Sequence, residues 1–212
     1  MSRVVRLLAV LAVLAPALLA APAGAGEADA REHRRTSAPQ DRTGPAARAA
    51  EPVRRRVTYS VTTRGRVTSS MKVFRRQAQE TFDDRRGWRA AGVRFHRVRR
   101  GGDFTLVLAA ARAVPSFSSA CSAQWSCRVG RHVIVNQLRW RTASPAWNAA
   151  GRSRRDYRHM VLNHETGHWL GRGHASCPAR GRRAPVMMQQ SLGTGGCRLN
   201  PWPLPREARA VR

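Results

Sequence analysis

The sequence predicts an α+β fold: a twisted mixed sheet, one long helix laid against it, and a loop-rich lower subdomain. Three observations predict it. Between residues 57 and 109, short β-branched runs surround one amphipathic helical stretch, in the order strand, helix, strand, strand. A second and longer helical stretch ends at Gly171. Beyond that residue the chain is rich in glycine and proline and shows no sustained period.

Each element has its own signal. Val57-Thr58-Tyr59-Ser60-Val61-Thr62-Thr63 is β-branched and alternating, which predicts a strand. Met71, Phe74, Ala78 and Phe82 recur at helical spacing, so a helix should run from Ser70 to about Asp84 with Ser69 or Ser70 as its cap. Arg86-Gly87-Trp88 turns the chain into strands at Val93 to Val98 and Phe104 to Ala109, joined at Arg100-Gly101-Gly102. A further strand is expected at His132 to Asn136. The strand-helix-strand opening favours a right-handed crossover and parallel pairing of the first two strands. Residues 137–151 read as loop, and the long helix should begin at Ser153 or Asp156. On it, Tyr157, Met160, Val161, His164 and His168 fall on one face, so the histidines should be turned inward toward the sheet.

That helix carries the chemistry. His164-Glu165-x-x-His168-x-x-Gly171-x-x-His174 sets three imidazoles, a carboxylate and a glycine at fixed spacing. Positions i and i+4 stand one above the other on a helix, so His164 and His168 can aim ring nitrogens at a single ion. Glu165 is rotated by about 100° around the axis, beside the ion and outside its ligand shell, where it can take a proton from water. A third ligand one turn further along would be too distant, so the chain must leave the helix and double back. Gly171 permits the left-handed backbone that ends helices, and His174 follows three residues later. Three protein ligands leave one position open, the mark of a catalytic and not a structural zinc. A bare H-E-x-x-H is a weak signal, but the extended form should arise by chance in only roughly one chain of this length in 10⁵. The remaining histidines, His33, His96, His132 and His159, read as solvated or structural residues.

The extended motif with a methionine beyond it resembles the metzincin clan of zinc peptidases. Ala184-Pro185-Val186-Met187-Met188-Gln189-Gln190 is a suitable methionine turn, with Met187 as the residue beneath the ion. More closely, Tyr59-Ser60-Val61, Arg86-Gly87-Trp88, Val135-Asn136, Arg139-Trp140, the histidine motif, Ala184 to Met187 and Gly196-Cys197-x-x-Asn200-x-Trp202-Pro203 make the chain resemble the bacterial DUF3152 family, a zincin-like group. The likeness covers about Val57 to Pro205 and implies a zincin/metzincin-like α+β fold, a metal-binding active-site helix and a secreted or envelope location, without naming a substrate. Some metzincins steady the oxyanion with a tyrosine after the methionine turn. Here the only tyrosines, Tyr59 and Tyr157, precede it.

The ends of the chain predict export. Arg3 and Arg6, the apolar run Leu7 to Leu19 and the small residues to Ala25 form a Sec-type signal peptide over 1–25, with cleavage after Ala25. An uncleaved anchor is the rival reading, but about 13 apolar residues fall short of the ~20 that span a bilayer. Residues 26–56 lack large apolar side chains and read as a disordered basic linker. Residues 57–205 form one domain, expected to be a monomer, and 206–212 a C-terminal tail. Cys121, Cys127, Cys177 and Cys197 suit an oxidising compartment. Three pairings are open. The sequential one is the most economical, and it would clamp the segment bearing Met187.

Net charge is +27, with 39 basic residues of which Lys72 is the only lysine. A GC-rich coding sequence produces such arginine bias without any partner, and an anionic cell-envelope polymer is the partner it would otherwise suit. Nucleic acid is a poor candidate, because no nucleic-acid motif is present and aromatic residues do not interleave with the basic ones. The expected function is a secreted zinc-dependent metallopeptidase. One Zn2+ on His164, His168 and His174 supplies Lewis acidity, Glu165 is the general base, and the substrate is a polypeptide with acidic character. In that clan substrate lies as an added strand on a sheet edge, for which His132 to Asn136 is the candidate. The alternative is a non-catalytic module of the same fold that binds anionic envelope polymers.

Overall fold

A computed structural model of the chain describes residues 52–211; the signal peptide expected over 1–25 and the expected linker up to residue 51 lie outside the described residues. The elements in chain order are β1 (Arg55–Arg64), α1 (Met71–Asp83), β2 (Val93–Arg97), β3 (Phe104–Ala109), β4 (Cys127–Val129), β5 (His132–Asn136), α2 (Gln137–Thr142), α3 (Pro145–Ala149), α4 (Arg154–Trp169) and α5 (Pro205–Arg209). Among the described residues five strands form one sheet in the order β2-β1-β3-β5-β4. β1 pairs in parallel with β2 and β3, and β3 in parallel with β5. Only β4 runs antiparallel, against β5, so the sheet is mixed as expected.

Four features differ from the sequence reading. His132–Asn136 is not an edge, because β4 covers its outer side. Three residues with a single β-branched member, Val129, are too few to show a period. Residues 137–151 are not loop but contain α2 and α3, of six and five residues. Their caps were the available signal: Asn136 accepts from the Leu138 amide at 2.9 Å, and Ser144 caps a helix that opens with Pro145. Arg55 and Arg56, read as the last of the linker, already belong to β1, while the supposed tail 206–212 contributes most of α5 with Glu207 buried.

The core fixes where α4 lies. Phe74, Ala78 and Phe82 of α1 are fully buried, and Phe82 meets Tyr59 of β1 edge-on at 5.1 Å and Phe95 of β2 at 4.6 Å. Phe104 of β3 stacks on Tyr59 at 5.4 Å and receives Trp169 from the last turn of α4 at 4.9 Å. Ser70 caps α1 and Ser153 caps α4, accepting from the Asp156 amide at 3.0 Å. Side chains tie α4 down along its length. Trp88 Nε1 donates to the Asn163 carbonyl at 2.9 Å, and Arg158 donates to the Trp140 carbonyl at 2.8 Å. The single inward stripe expected of α4 is too simple, since Tyr157 and His159 through Gly167 are all buried. A helix covered on every side cannot reveal its facing by periodicity.

Below α4 the chain is loop-rich and braced. Disulfides join Cys121 to Cys127 and Cys177 to Cys197. Gln190 donates to the Pro185 and Asn200 carbonyls at 3.1 and 2.8 Å and accepts from the Asn200 amide at 2.8 Å. These bonds satisfy buried backbone groups that no strand or helix serves. They also hold the turn carrying Met187 against the underside of α4.

Candidate metal centre

His164 and His168 project from α4 one turn apart, and their Nε2 atoms stand 3.1 Å from each other. Just past them the helix stops. Gly171 takes φ +83°, and the amides of Gly171 and Arg172 donate to the His168 and Gly167 carbonyls at 3.1 and 2.9 Å, closing the last turn. The returning loop brings His174 Nε2 to 3.1 Å from His168 Nε2, so the three ligand atoms gather within 4.8 Å of one another. Glycine is needed at 171 because side chains rarely tolerate that backbone.

Hydrogen bonds fix the rings. His164 Nδ1 lies 2.8 Å from the Val186 carbonyl and His168 Nδ1 2.8 Å from the Arg172 carbonyl. A carbonyl can only accept, so both Nδ1 atoms carry the proton. Burial holds both imidazoles below their ordinary pKa, His164 down to about 3, and both rings are therefore neutral near pH 7. Their Nε2 lone pairs then face each other at hydrogen-bond distance with no proton between them. Such an arrangement is repulsive unless a cation sits among the nitrogens. An ion held tetrahedrally about 2.0–2.1 Å from imidazole nitrogens would separate them by about 3.3 Å. The donor set fits a zinc-sized cation in spacing and chemistry.

Glu165 is 6% exposed and borders the same cleft, of about 460 Å³, with the three histidines on its wall. Burial pushes its carboxyl up to about 8, opposed by the positive charge of Arg128. A bound dication would act in the same direction as Arg128 and restore the carboxylate. The cleft runs between the 120–128 segment that ends in β4 and the loop 188–192, over Tyr157, Met160 and Val161 of α4. The stripe expected to face the sheet thus lines this opening. Tyr157 sits two turns before His164 with its hydroxyl 3.0 Å from Ser191 Oγ.

Met187 lies where the sequence puts the methionine turn, buried to 2% exposure. Its sulfur occupies the space beside Gly167, where a methyl would overlap it and come within 2.7 Å of Trp88 Cζ2. Several contributors escaped the sequence reading: Gly167, the Val186 carbonyl, Arg128 and Glu207. Gly167 alone left a sign, being a glycine inside a helix where alanine is favoured by about 1 kcal/mol. Arg128, on β4, donates to the His168 carbonyl at 3.1 Å and borders the cleft. Among the other histidines, His159 is buried against Thr81 Oγ1 at 2.8 Å, His96 is exposed, and His33 lies outside the described residues. All four cysteines are committed to disulfides, so none is left for a second metal. Among the described residues no helix is long and apolar enough to cross a membrane.

No curated protein and no solved structure matches the chain. The family model for a protein of unknown function, DUF3152, matches residues 36–200, and by that match this chain belongs to the DUF3152 family.

Proposed function

We propose that the chain is an exported zinc-dependent peptidase of zincin/metzincin type. One observation carries the reading: two neutral imidazoles, locked by Nδ1–H bonds to carbonyls, aim lone pairs at one point with a third imidazole beside them. Imidazole donors suit zinc, and three of them leave a coordination position for chemistry. Zinc there would supply Lewis acidity to a substrate carbonyl and lower the pKa of water. Glu165 takes a proton from the water as it adds to the carbonyl carbon. The same carboxyl then passes that proton to the amine nitrogen as the C–N bond breaks.

The substrate reading follows from the walls. Among the described residues β4 ends the strand order, and its outer side is where an extended peptide would pair at the cleft mouth. Arg128 projects from that strand beside the metal site, and among the described residues that border the cleft Glu165 is the one acidic side chain. Peptides carrying acidic side chains near the scissile bond are the favoured class. Two disulfides fit an oxidising, extracellular setting. The test is to offer a peptide library to the full chain with and without zinc. Cleavage should appear with zinc, vanish with a chelator, return on re-addition, and favour acidic peptides. A zinc-loaded chain that cuts nothing would leave the non-catalytic, polymer-binding alternative in its place.

A further inference from the structure

Glu207 is 7% exposed, and its carboxyl oxygens accept three backbone N–H groups: Oε1 from Met187 at 2.9 Å, and Oε2 from Val186 at 2.9 Å and Leu204 at 2.7 Å. One of these amides has a second role. The peptide unit between Val186 and Met187 donates its N–H to Glu207 Oε1 and accepts the His164 Nδ1–H at its carbonyl, 2.8 Å away. A carboxylate on the N–H end of an amide polarises the group and makes its carbonyl a stronger acceptor. A stronger acceptor at Nδ1 holds the ring's tautomer and orientation and enriches Nε2 as a donor.

We infer that Glu207 is a positioning residue for the metal site, acting on His164 through the Val186–Met187 amide. The inference rests on the reading that the three histidines hold zinc. It gives a carboxylate–amide–histidine relay in place of a direct carboxylate–histidine bond, and the carboxylate comes from α5, beyond the 36–200 span of the family match. His168 is the internal control. Its Nδ1 partner is the Arg172 carbonyl, in the loop that follows α4, whereas among the described residues the Glu207 carboxyl bonds Val186, Met187 and Leu204.

The experiment uses the full chain, as wild type, Glu207→Gln and Glu207→Asp. Zinc affinity is measured by competition with a chromophoric chelator, imidazole nitrogens and protons by NMR of histidine-labelled protein, and folding by near-UV circular dichroism. Gln removes the charge and should weaken zinc binding by at least about tenfold, moving the His164 Nδ1–H resonance while His168 stays in place. Asp keeps the charge on a shorter arm and should lie between. If the Gln variant does not fold, the Asp variant bears the test with the same selective change at His164. A folded variant with wild-type affinity and an unmoved His164 resonance overturns the relay. Equal loss at both histidines also overturns it, since that is plain structural damage. Wild type that takes up no zinc defeats the underlying metal reading instead, so the two failures are distinguishable.

Discussion

Gly167→Ala is expected to destabilise the fold and to disable the metal centre, although alanine is the better helix former. Propensity alone predicts a gain of about 1 kcal/mol. Against it, the new methyl would overlap Met187 Sδ and lie 2.7 Å from Trp88 Cζ2. The methionine can bend, but the indole is 1% exposed and pinned by its Nε1 bond to the Asn163 carbonyl. Overpacking of this kind costs roughly 1–3 kcal/mol, so the net sign is loss. The turn that must give way also carries the Val186 carbonyl, the Nδ1 partner of His164. Zinc affinity should therefore fall together with stability. Urea unfolding of the metal-free chain and a zinc competition titration measure the two effects. An alanine variant as stable as wild type, with unchanged affinity, would mean that the close packing of Met187 on α4 has been misread.

Glu165→Gln should abolish hydrolysis while zinc stays bound. The amide preserves shape but cannot accept and return the proton, a loss of roughly 10²–10⁴ in rate. Zinc binding survives because Glu165 is not among the converging nitrogen donors. The same substitution has a signature in the chelated protein. Burial raises the Glu165 pKa from 4.5 to about 8, so between those values the folded chain keeps a proton that the unfolded chain has released. This contribution to stability is full below the lower value and is lost as pH rises through the upper one. Metal-free wild type should lose stability across that window relative to the Gln variant, which lacks the titrating group. Thermal melts at several pH values read the difference. Residual cleavage in the zinc-loaded Gln variant at wild-type rate would remove Glu165 from the reaction.

Much of the site was legible because its geometry is a property of the helix itself. His164 and His168 meet at one turn's spacing in any α-helix, and Gly171 marks the stop that sends His174 back. The parallel strands were legible for a similar reason, since β-branched runs such as Val133, Ile134 and Val135 report burial on both faces. Short elements were not. β4 has three residues and α3 five, less than either period needs to declare itself, and both owe their form to neighbours. The supports of the site were hidden for another reason. Glu207 reaches amides about twenty residues earlier, Trp88 a carbonyl 75 residues later, and neither bond has a local pattern. What lay beneath the histidines showed only as the segment bearing Met187, since a single glycine inside a helix, Gly167, does not say what packs against it.

The most direct measurement is zinc stoichiometry with identification of the ligands. Chelator-treated full chain should take up one equivalent of zinc, and X-ray absorption at the zinc edge should report three imidazole nitrogens at about 2.0–2.1 Å. His168→Ala, which removes the nitrogen that lies 3.1 Å from both of the others, should abolish that uptake. Zinc bound with equal strength in the alanine variant, or not at all by the native chain, would contradict a metal centre built on these three histidines.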